Sequence, residues 1–277
     1  MGEPMGRRLL DSGYRLNGYN RSVEKTAELA AAGASIFSQP GEVIRQSDIL
    51  ITMLADYPAI QEAMLPLGEH AGAGKIWIQM STIAPDQNQA LQEQWNAAGG
   101  RYLEAPVLGS IPQVKSGTLF ILVGGEQELL AECEPVLKRL GETIVRFGDV
   151  GTAGAAKLAL NQLIATLTSG FSMSLGYLRE QNVDIEQFMT ILRDSALYAP
   201  TFDKKLSKMM SRDFRNPNFP VKHMLKDVNL MLADFQKAAI NTAPLAGVRE
   251  LLETAIRNGD EDMDYSALYN AVHPVKK

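Results

Sequence analysis

A chain of 277 residues, 45% hydrophobic and 21% charged, can bury one large core or two moderate ones, so two domains are expected. Its formal net charge of -5 gives no broad positive field for a phosphate backbone, which sets nucleic acid aside as a main partner. No apolar run reaches the roughly 18 residues of a membrane span, so no membrane partner is expected either. The single Cys133 excludes an intrachain disulfide and three scattered histidines argue against a zinc cluster; with no secretory signal, the cytoplasm is the default compartment.

The opening MGEPMGRRLLDSG reads as a helix, with Pro4 in its first turn and Gly13 as its stop. A strand follows at 14–19, a helix at 23–32 ending at Gly33, and an apolar strand at 48–54. Then come a helix near 57–66, a strand at 75–80, a helix at 86–97 just after Pro85, strands at 101–104, 118–123 and 143–147, and a helix at 126–140. Apolar strands separated by helices predict a largely parallel, doubly wound α/β sheet covered on both faces. After Gly151 no convincing strand recurs. One long helix is predicted at 152–180, followed by helices near 184–194, 200–210, 221–237, 243–257 and 265–271, with RDFRNPNFP at 212–220 as a loop. The change of rhythm divides the chain into an α/β domain over 1–150 and an all-helical domain over 151–277.

In a dinucleotide fold a buried strand and a glycine turn precede the first helix, so that its N-terminus meets the pyrophosphate. That strand is absent before Met1. Gly2 is either the last glycine of such a fingerprint or an ordinary terminus, and Gly6 lies where it permits close packing. The adenosine ribose would meet the end of the second strand, where Asn20 and Arg21 stand in place of an acidic residue. Asn removes repulsion toward a 2′-phosphate and Arg supplies a multi-donor partner, with Ser22 and Lys25 close enough to share it, so NADP(H) is preferred. The alternative is a solvated turn in which Ser22 caps the next helix.

Lys157 and Asn161, in GTAGAAKLALN, lie four apart and share one helix face. A carbonyl being reduced develops charge on oxygen, which a lysine can neutralise with a proton while an asparagine orients the group. Taken as an isolated pair they could equally be a solvent-facing lysine and a structural amide.

The order of motifs resembles the β-hydroxyacid dehydrogenase family, and within it the glyoxylate/succinic semialdehyde reductases most in character. MGEPM looks like the tail of that family's glycine fingerprint, QMSTIAP at 79–85 its STxxP segment, EAPVLGS at 104–110 its substrate segment, GTAGAAKLALN at 151–161 its catalytic segment and KDVNLML at 226–232 its late segment. The resemblance implies a Rossmann-like N-terminal domain joined by a long helix to a helical substrate and dimerisation domain. It implies NADP(H) as cofactor, a small carboxylate substrate such as succinic semialdehyde or glyoxylate, and a homodimer or homotetramer. It makes Lys157 catalytic with Asn161 as companion. Gly2, Pro4, Met5, Met53, Leu54, Ala55, Thr82 and Lys226 fall to the cofactor; Thr82, Leu108, Gly109, Ser110 and Asp227 fall to the substrate.

Two departures stand out. Leu108 replaces the family's serine and cannot donate a hydrogen bond, so carboxylate recognition is expected to move to Ser110 and backbone donors. Family members also carry about ten residues before the equivalent of Met1, including the first strand, so a start upstream is expected; without it, neighbouring strands would expose apolar edges. The competing classes are a scaffold protein that kept the fold and lost cofactor competence, and a dehydrogenase of amines or imines. The retained Lys157 and Asn161 speak against both.

Overall fold

The computed structural model describes residues 1–65 and 70–275, and forms two compact units, Met1–Lys157 and Leu158–Lys277. The first unit opens with α1 (Gly2–Asp11), β1 (Asn17–Gly18), a 3-10 turn at Val23–Thr26, α2 (Ala27–Ala31), β2 (Ser35–Ile36), α3 (Pro40–Arg45), β3 (Ile49–Thr52) and α4 (Tyr57–Met64). It continues with β4 (Ile76–Gln79), α5 (Pro85–Ala97), β5 (Arg101–Glu104), β6 (Val107–Leu108), α6 (Ile111–Ser116), β7 (Phe120–Gly124), α7 (Gln127–Leu140) and β8 (Thr143–Gly148). This is a Rossmann-like α/β domain. The helix predicted over 57–66 ends at Met64, and its last predicted residue lies outside the described residues.

Alternation along the central strands builds a core on each face of the sheet. Ile76 and Ile78 of β4 and Leu103 of β5 join Met5 and Leu9 of α1 and the apolar face of α7. Trp77 and Tyr102, one residue out of phase, join Leu91 and Trp95 of α5 and Ile60 of α4 on the other side. Trp77 meets both Trp95 and Tyr102 edge-on, with ring centroids 5.5 and 5.2 Å away, an arrangement the aromatic quadrupole favours.

The sheet is less parallel than the pattern predicts. Strands β3, β4 and β5 are parallel neighbours and β8 is parallel to β7, but β7 runs antiparallel to both β5 and β6. Glu104 faces Gly124, Val107 faces Ile121 and Leu108 faces Phe120, so β5 and β6 are one strand in a single register, interrupted at Ala105–Pro106. The returning segment has no room for a crossover: Gly109 at φ +137°, the six-residue α6 and left-handed Gly117 turn the chain back as a hairpin. The strand predicted over 14–19 shrinks to two residues. With β2 it forms a parallel pair of its own, separate from the six-stranded sheet. A cavity of about 940 Å³ lies along these edges, lined by Leu16, Leu29, Ile49, Ile51, Met5 and Leu9 among others.

The second unit lies within a run of helices that begins with α8 (Thr152–Glu180), which links the domains, and continues with α9 (Ile185–Asp194), α10 (Pro200–Ser211), α11 (Val221–Lys237), α12 (Ala243–Arg257), a 3-10 turn at Tyr265–Ala267 and α13 (Leu268–Val272). Its core gathers Phe171 and Leu175 of α8, Met224, Val228 and Met231 of α11 and Leu252 of α12. Asp264 is fully buried there, and both its oxygens accept from the Lys205 ammonium at 2.8 Å, which compensates a charge that burial would otherwise make costly. No described helix is long and apolar enough to cross a membrane.

Candidate active site

Helix α8 carries the pair on which the chemistry was expected. Lys157 and Asn161 are both buried, at 7% and 3% exposure, which removes the solvent-facing reading of the lysine. Asn161 donates from Nδ2 to Oδ2 of Asp227 on α11 at 2.7 Å, and the Lys226 ammonium stands 2.6 Å from the other carboxylate oxygen. The buried carboxylate thus accepts a hydrogen bond through Oδ2 and is charge-paired at Oδ1, and it fixes the Asn161 amide with its carbonyl oxygen turned away from the acid. Two distant stretches of the sequence, Asn161 on α8 and Lys226–Asp227 on α11, are brought together.

At its other end, α8 is held from the sheet. The fully buried Glu104 at the end of β5 accepts from the backbone N–H of Gly151 through Oε2 and of Gly154 through Oε1, both at 2.7 Å. Burial pushes this carboxyl up to about 7, against the pull of the Gly151, Gly154 and Ala153 amides. Sequence reasoning missed Glu104. The available signal was an acid as the last residue of a strand at 101–104, where burial makes an ionisable side chain expensive without partners.

A second buried network orders the 80–84 segment. Gln79 donates to Asn88 Oδ1 at 3.1 Å and to the Ser81 carbonyl at 3.0 Å; Tyr102 donates its hydroxyl proton to Asn88 at 2.8 Å; Ser81 donates its backbone N–H to Gln79 Oε1 and accepts the Leu54 N–H at 2.8 Å through its hydroxyl. The loop bearing half-buried Thr82 is therefore tied to the end of β3, where Met53 and Leu54 lie.

The residues assigned to the cofactor divide. Gly2, Met5, Asn20, Lys25, Met53 and Leu54 all line the 940 Å³ cavity, while Pro4 is buried beside it and Arg21, Ser22 and Ala55 fall outside its lining. Gly6 sits against Leu16 and Leu29, where a Cβ would come within 3.0–3.2 Å, so its close-packing role is real. Ser22 does not cap the following turn with its side chain; instead its N–H donates to Asn20 Oδ1 at 2.9 Å, which shapes the exposed Asn20–Arg21–Ser22 turn. An N-terminal helix end with Gly2 on the cavity wall, next to a strand end where Asn20 and Arg21 stand in place of an acid and Lys25 follows Glu24, fits an anionic dinucleotide.

In the substrate segment, Leu108 is half-buried in β6 and Gly109 needs its left-handed backbone, since a Cβ there would reach within 2.7 Å of Leu119. Ser110 opens α6 and donates both its N–H and its hydroxyl proton to Gln113 Oε1 at 2.9 Å. The hydroxyl expected to replace the missing serine is thus already engaged within its own capping box, and Gln113 is the residue that engages it.

Residues 1–167 match the sequence profile of the NAD-binding domain of 6-phosphogluconate dehydrogenase, and residues 151–272 that of the NAD-binding domain of NADP-dependent 3-hydroxyisobutyrate dehydrogenase. The chain belongs to the 3-hydroxyisobutyrate dehydrogenase-like family. It is an NADP(H)-dependent oxidoreductase acting on small carboxylic or keto-acid substrates. Among its relatives, glyoxylate/succinic semialdehyde reductase 1 of Arabidopsis thaliana is 32% identical over 98% of this chain and 95% of its own length. The 2-hydroxy-3-oxopropionate reductase of Escherichia coli is 30% identical over 98% and 94%. A 3-hydroxyisobutyrate dehydrogenase of Mycobacterium tuberculosis solved with L-serine shares the fold at a TM-score of 0.88, with 20% identity over 98% and 95% of the two chains.

Proposed function

We propose that this family member reduces a small aldehyde or 2-oxo acid of the succinic semialdehyde or glyoxylate type with NADPH, and that Lys157 is its proton donor. The observation that carries the reading is the buried Lys157 one turn before an Asn161 fixed by Asp227. When bound, NADPH supplies the reducing equivalent. The Lys157 ammonium meets the substrate oxygen as negative charge develops there and gives it a proton, leaving a neutral amine; in the oxidative direction the neutral amine takes that proton back. Asn161, its amide held by Asp227, orients the oxygen or the ammonium. Thr82 and the backbone at Gly109 receive the substrate carboxylate, with Ser110, held by Gln113, and half-buried Leu108 bounding the pocket.

On the cofactor side, Gly2, Pro4 and Met5 approach the pyrophosphate, Met53, Leu54, Ala55 and Thr82 the nicotinamide, and Asn20, Arg21, Ser22 and Lys25 the 2′-phosphate, with Lys226 completing the set. Residues 1–150 form the NADP-binding domain and 151–277 the substrate and dimerisation domain. A homodimer or homotetramer is supported by apolar side chains exposed along α8. A cytoplasmic location is supported by Cys133, a buried free thiol whose pKa burial pushes up to about 11. The chain's net negative charge supports a small-molecule partner over nucleic acid.

The test is NADPH oxidation with succinic semialdehyde, glyoxylate and tartronate semialdehyde. Lys157→Ala is expected to lower kcat by about 10²–10⁴-fold with the fold retained by circular dichroism. Turnover untouched by that substitution would sink the mechanism.

A further inference from the structure

The first turn of α8 has local residues available to cap it and does not use the acid among them. Asp149, three residues before Thr152, has a fully exposed side chain near Arg146, and Thr152 directs its hydroxyl to the Asp149 carbonyl. The amides of Gly151 and Gly154 are satisfied instead by Glu104, from a strand 47 and 50 positions earlier. Its seat is carved by glycines. A Cβ on Gly124 would come within 2.3 Å of Glu104 Oε2, one on Gly154 within 2.6 Å of Oε1, and Gly151 presents its N–H from φ +103°.

We infer that Glu104 is a positioning residue: from the end of β5 its carboxylate clamps the first turn of α8 and thereby sets the place of Lys157, three residues beyond Gly154. This rests on the role proposed for Lys157. A bidentate grip on two amides three residues apart fixes both the rotation and the height of the helix start, and a side chain one turn along inherits both. The same clamp joins α8 to the strand that runs on into Leu108, Gly109 and Ser110, so the proton donor and the substrate segment share one anchor.

The grip needs the ionised acid. A protonated carboxyl keeps one acceptor oxygen and turns an O–H toward the other amide, which opposes that contact. The groups around it are the backbone amides of α8, Asn88 of α5, and Tyr102 two residues back on β5, whose own ionisation is pushed well up by burial and by the Glu104 charge. With Glu104 titrating at about 7, the clamp loosens as pH falls through neutrality.

The experiment compares wild type, Glu104→Gln and Glu104→Asp by NADPH turnover from acid to alkaline pH and by hydrogen–deuterium exchange over residues 148–157. In wild type, kcat should fall on the acid side of neutrality. Glu104→Gln, an isostere that offers one acceptor, should lose about 10²-fold in kcat with KM for NADPH little changed, should lose that acid limb, and should exchange faster at residues 151–155. Glu104→Asp should keep the limb at reduced kcat. Unchanged exchange in Glu104→Gln overturns the clamp, whether or not wild type turns over. Faster exchange with kcat and its acid limb intact overturns the positioning role and leaves a structural one. Absence of turnover in wild type on every substrate overturns the functional reading and the link to Lys157, while the exchange result still decides the clamp.

Discussion

Asp227 shows how much can depend on one buried acid. One of its oxygens takes the Asn161 amide and the other lies 2.6 Å from Lys226, so truncation strands a buried donor and frees an ammonium at the same time. Asp227→Ala is expected to destabilise the helical unit by about 1–3 kcal/mol, the range for leaving a buried polar group unpaired, and to lower kcat by loosening Asn161. Asp227→Asn keeps an acceptor for Asn161 and should recover most of the stability; equal losses in the two variants by urea denaturation would dispose of the hydrogen bond as the cause. Arg21 is a different kind of residue. It is exposed on a turn shaped by Asn20, so its interactions are screened and its contribution belongs at the low end for a charge-assisted contact. Arg21→Ala should weaken NADPH binding by about tenfold and leave NADH unchanged, as read by equilibrium titration at fixed salt. Equal weakening of both nucleotides would remove Arg21 from the selection of the 2′-phosphate.

At the level of elements, α8 bears two opposing effects at Gly154. Alanine there would gain about 1 kcal/mol of helix propensity, yet its Cβ would lie within 2.6 Å of Glu104 Oε1 and 3.1 Å of Asn88 Nδ2, and overpacking costs about 1–3 kcal/mol. Neither neighbour is a free side-chain end, so Gly154→Ala should lower the melting temperature; a higher one would mean that the carboxylate can yield. The same acid gives a pH dependence of stability. Because its folded pKa is raised from 4.5 to about 7, the unfolded chain loses this proton first, and the contribution of Glu104 to stability falls as pH rises across that window and is flat on either side. The change is about 3 kcal/mol, should appear in chemical denaturation between the two pH values, and should vanish in Glu104→Gln. The clamp is thus tightest where this residue stabilises the fold least, which is the usual bargain of a functional carboxylate. These elements differ in how far the sequence announced them. Helix α8 was legible over its whole length because 29 residues run without a proline, and α11 and α12 followed from their apolar period. The short α3, α6, β2 and β6 were not, since two to six residues carry too little periodicity. The antiparallel β7 escaped because an apolar strand looks the same in either direction, and only the hairpin through Gly109 and Gly117 distinguishes them. Lys157, Asn161 and Asp227 were visible as motif positions, whereas Glu104 and Asn88 act through contacts between strands and helices that no local pattern encodes; Gln113, three residues after Ser110, completes a capping box whose spacing the sequence does carry.

At the level of the whole molecule, the assembly is argued from α8 itself. Leu163, Leu167, Met173 and Tyr177 are 52%, 37%, 57% and 67% exposed, and at 100° per residue they fall within about a third of the helix circumference. Gly170 lies in the middle of that arc, and nothing stands within 4 Å of where its Cβ would be, so the stripe has a flat, open centre against which a second helix could close. A contiguous apolar stripe of this length on a monomer's surface is an aggregation hazard, and its burial between copies removes the hazard while adding hydrophobic stabilisation of about 25 cal/mol for each Å² covered. A two-fold axis would place the same stripe on both sides, as an isologous contact requires. Leu163→Glu combined with Tyr177→Glu sets like charges across that axis and should shift the sedimentation coefficient from oligomer to monomer. The substitutions are at exposed positions, so each protomer should keep its helical signal; a wild-type chain that already sediments as a monomer at micromolar concentration would instead assign the stripe no role in self-association.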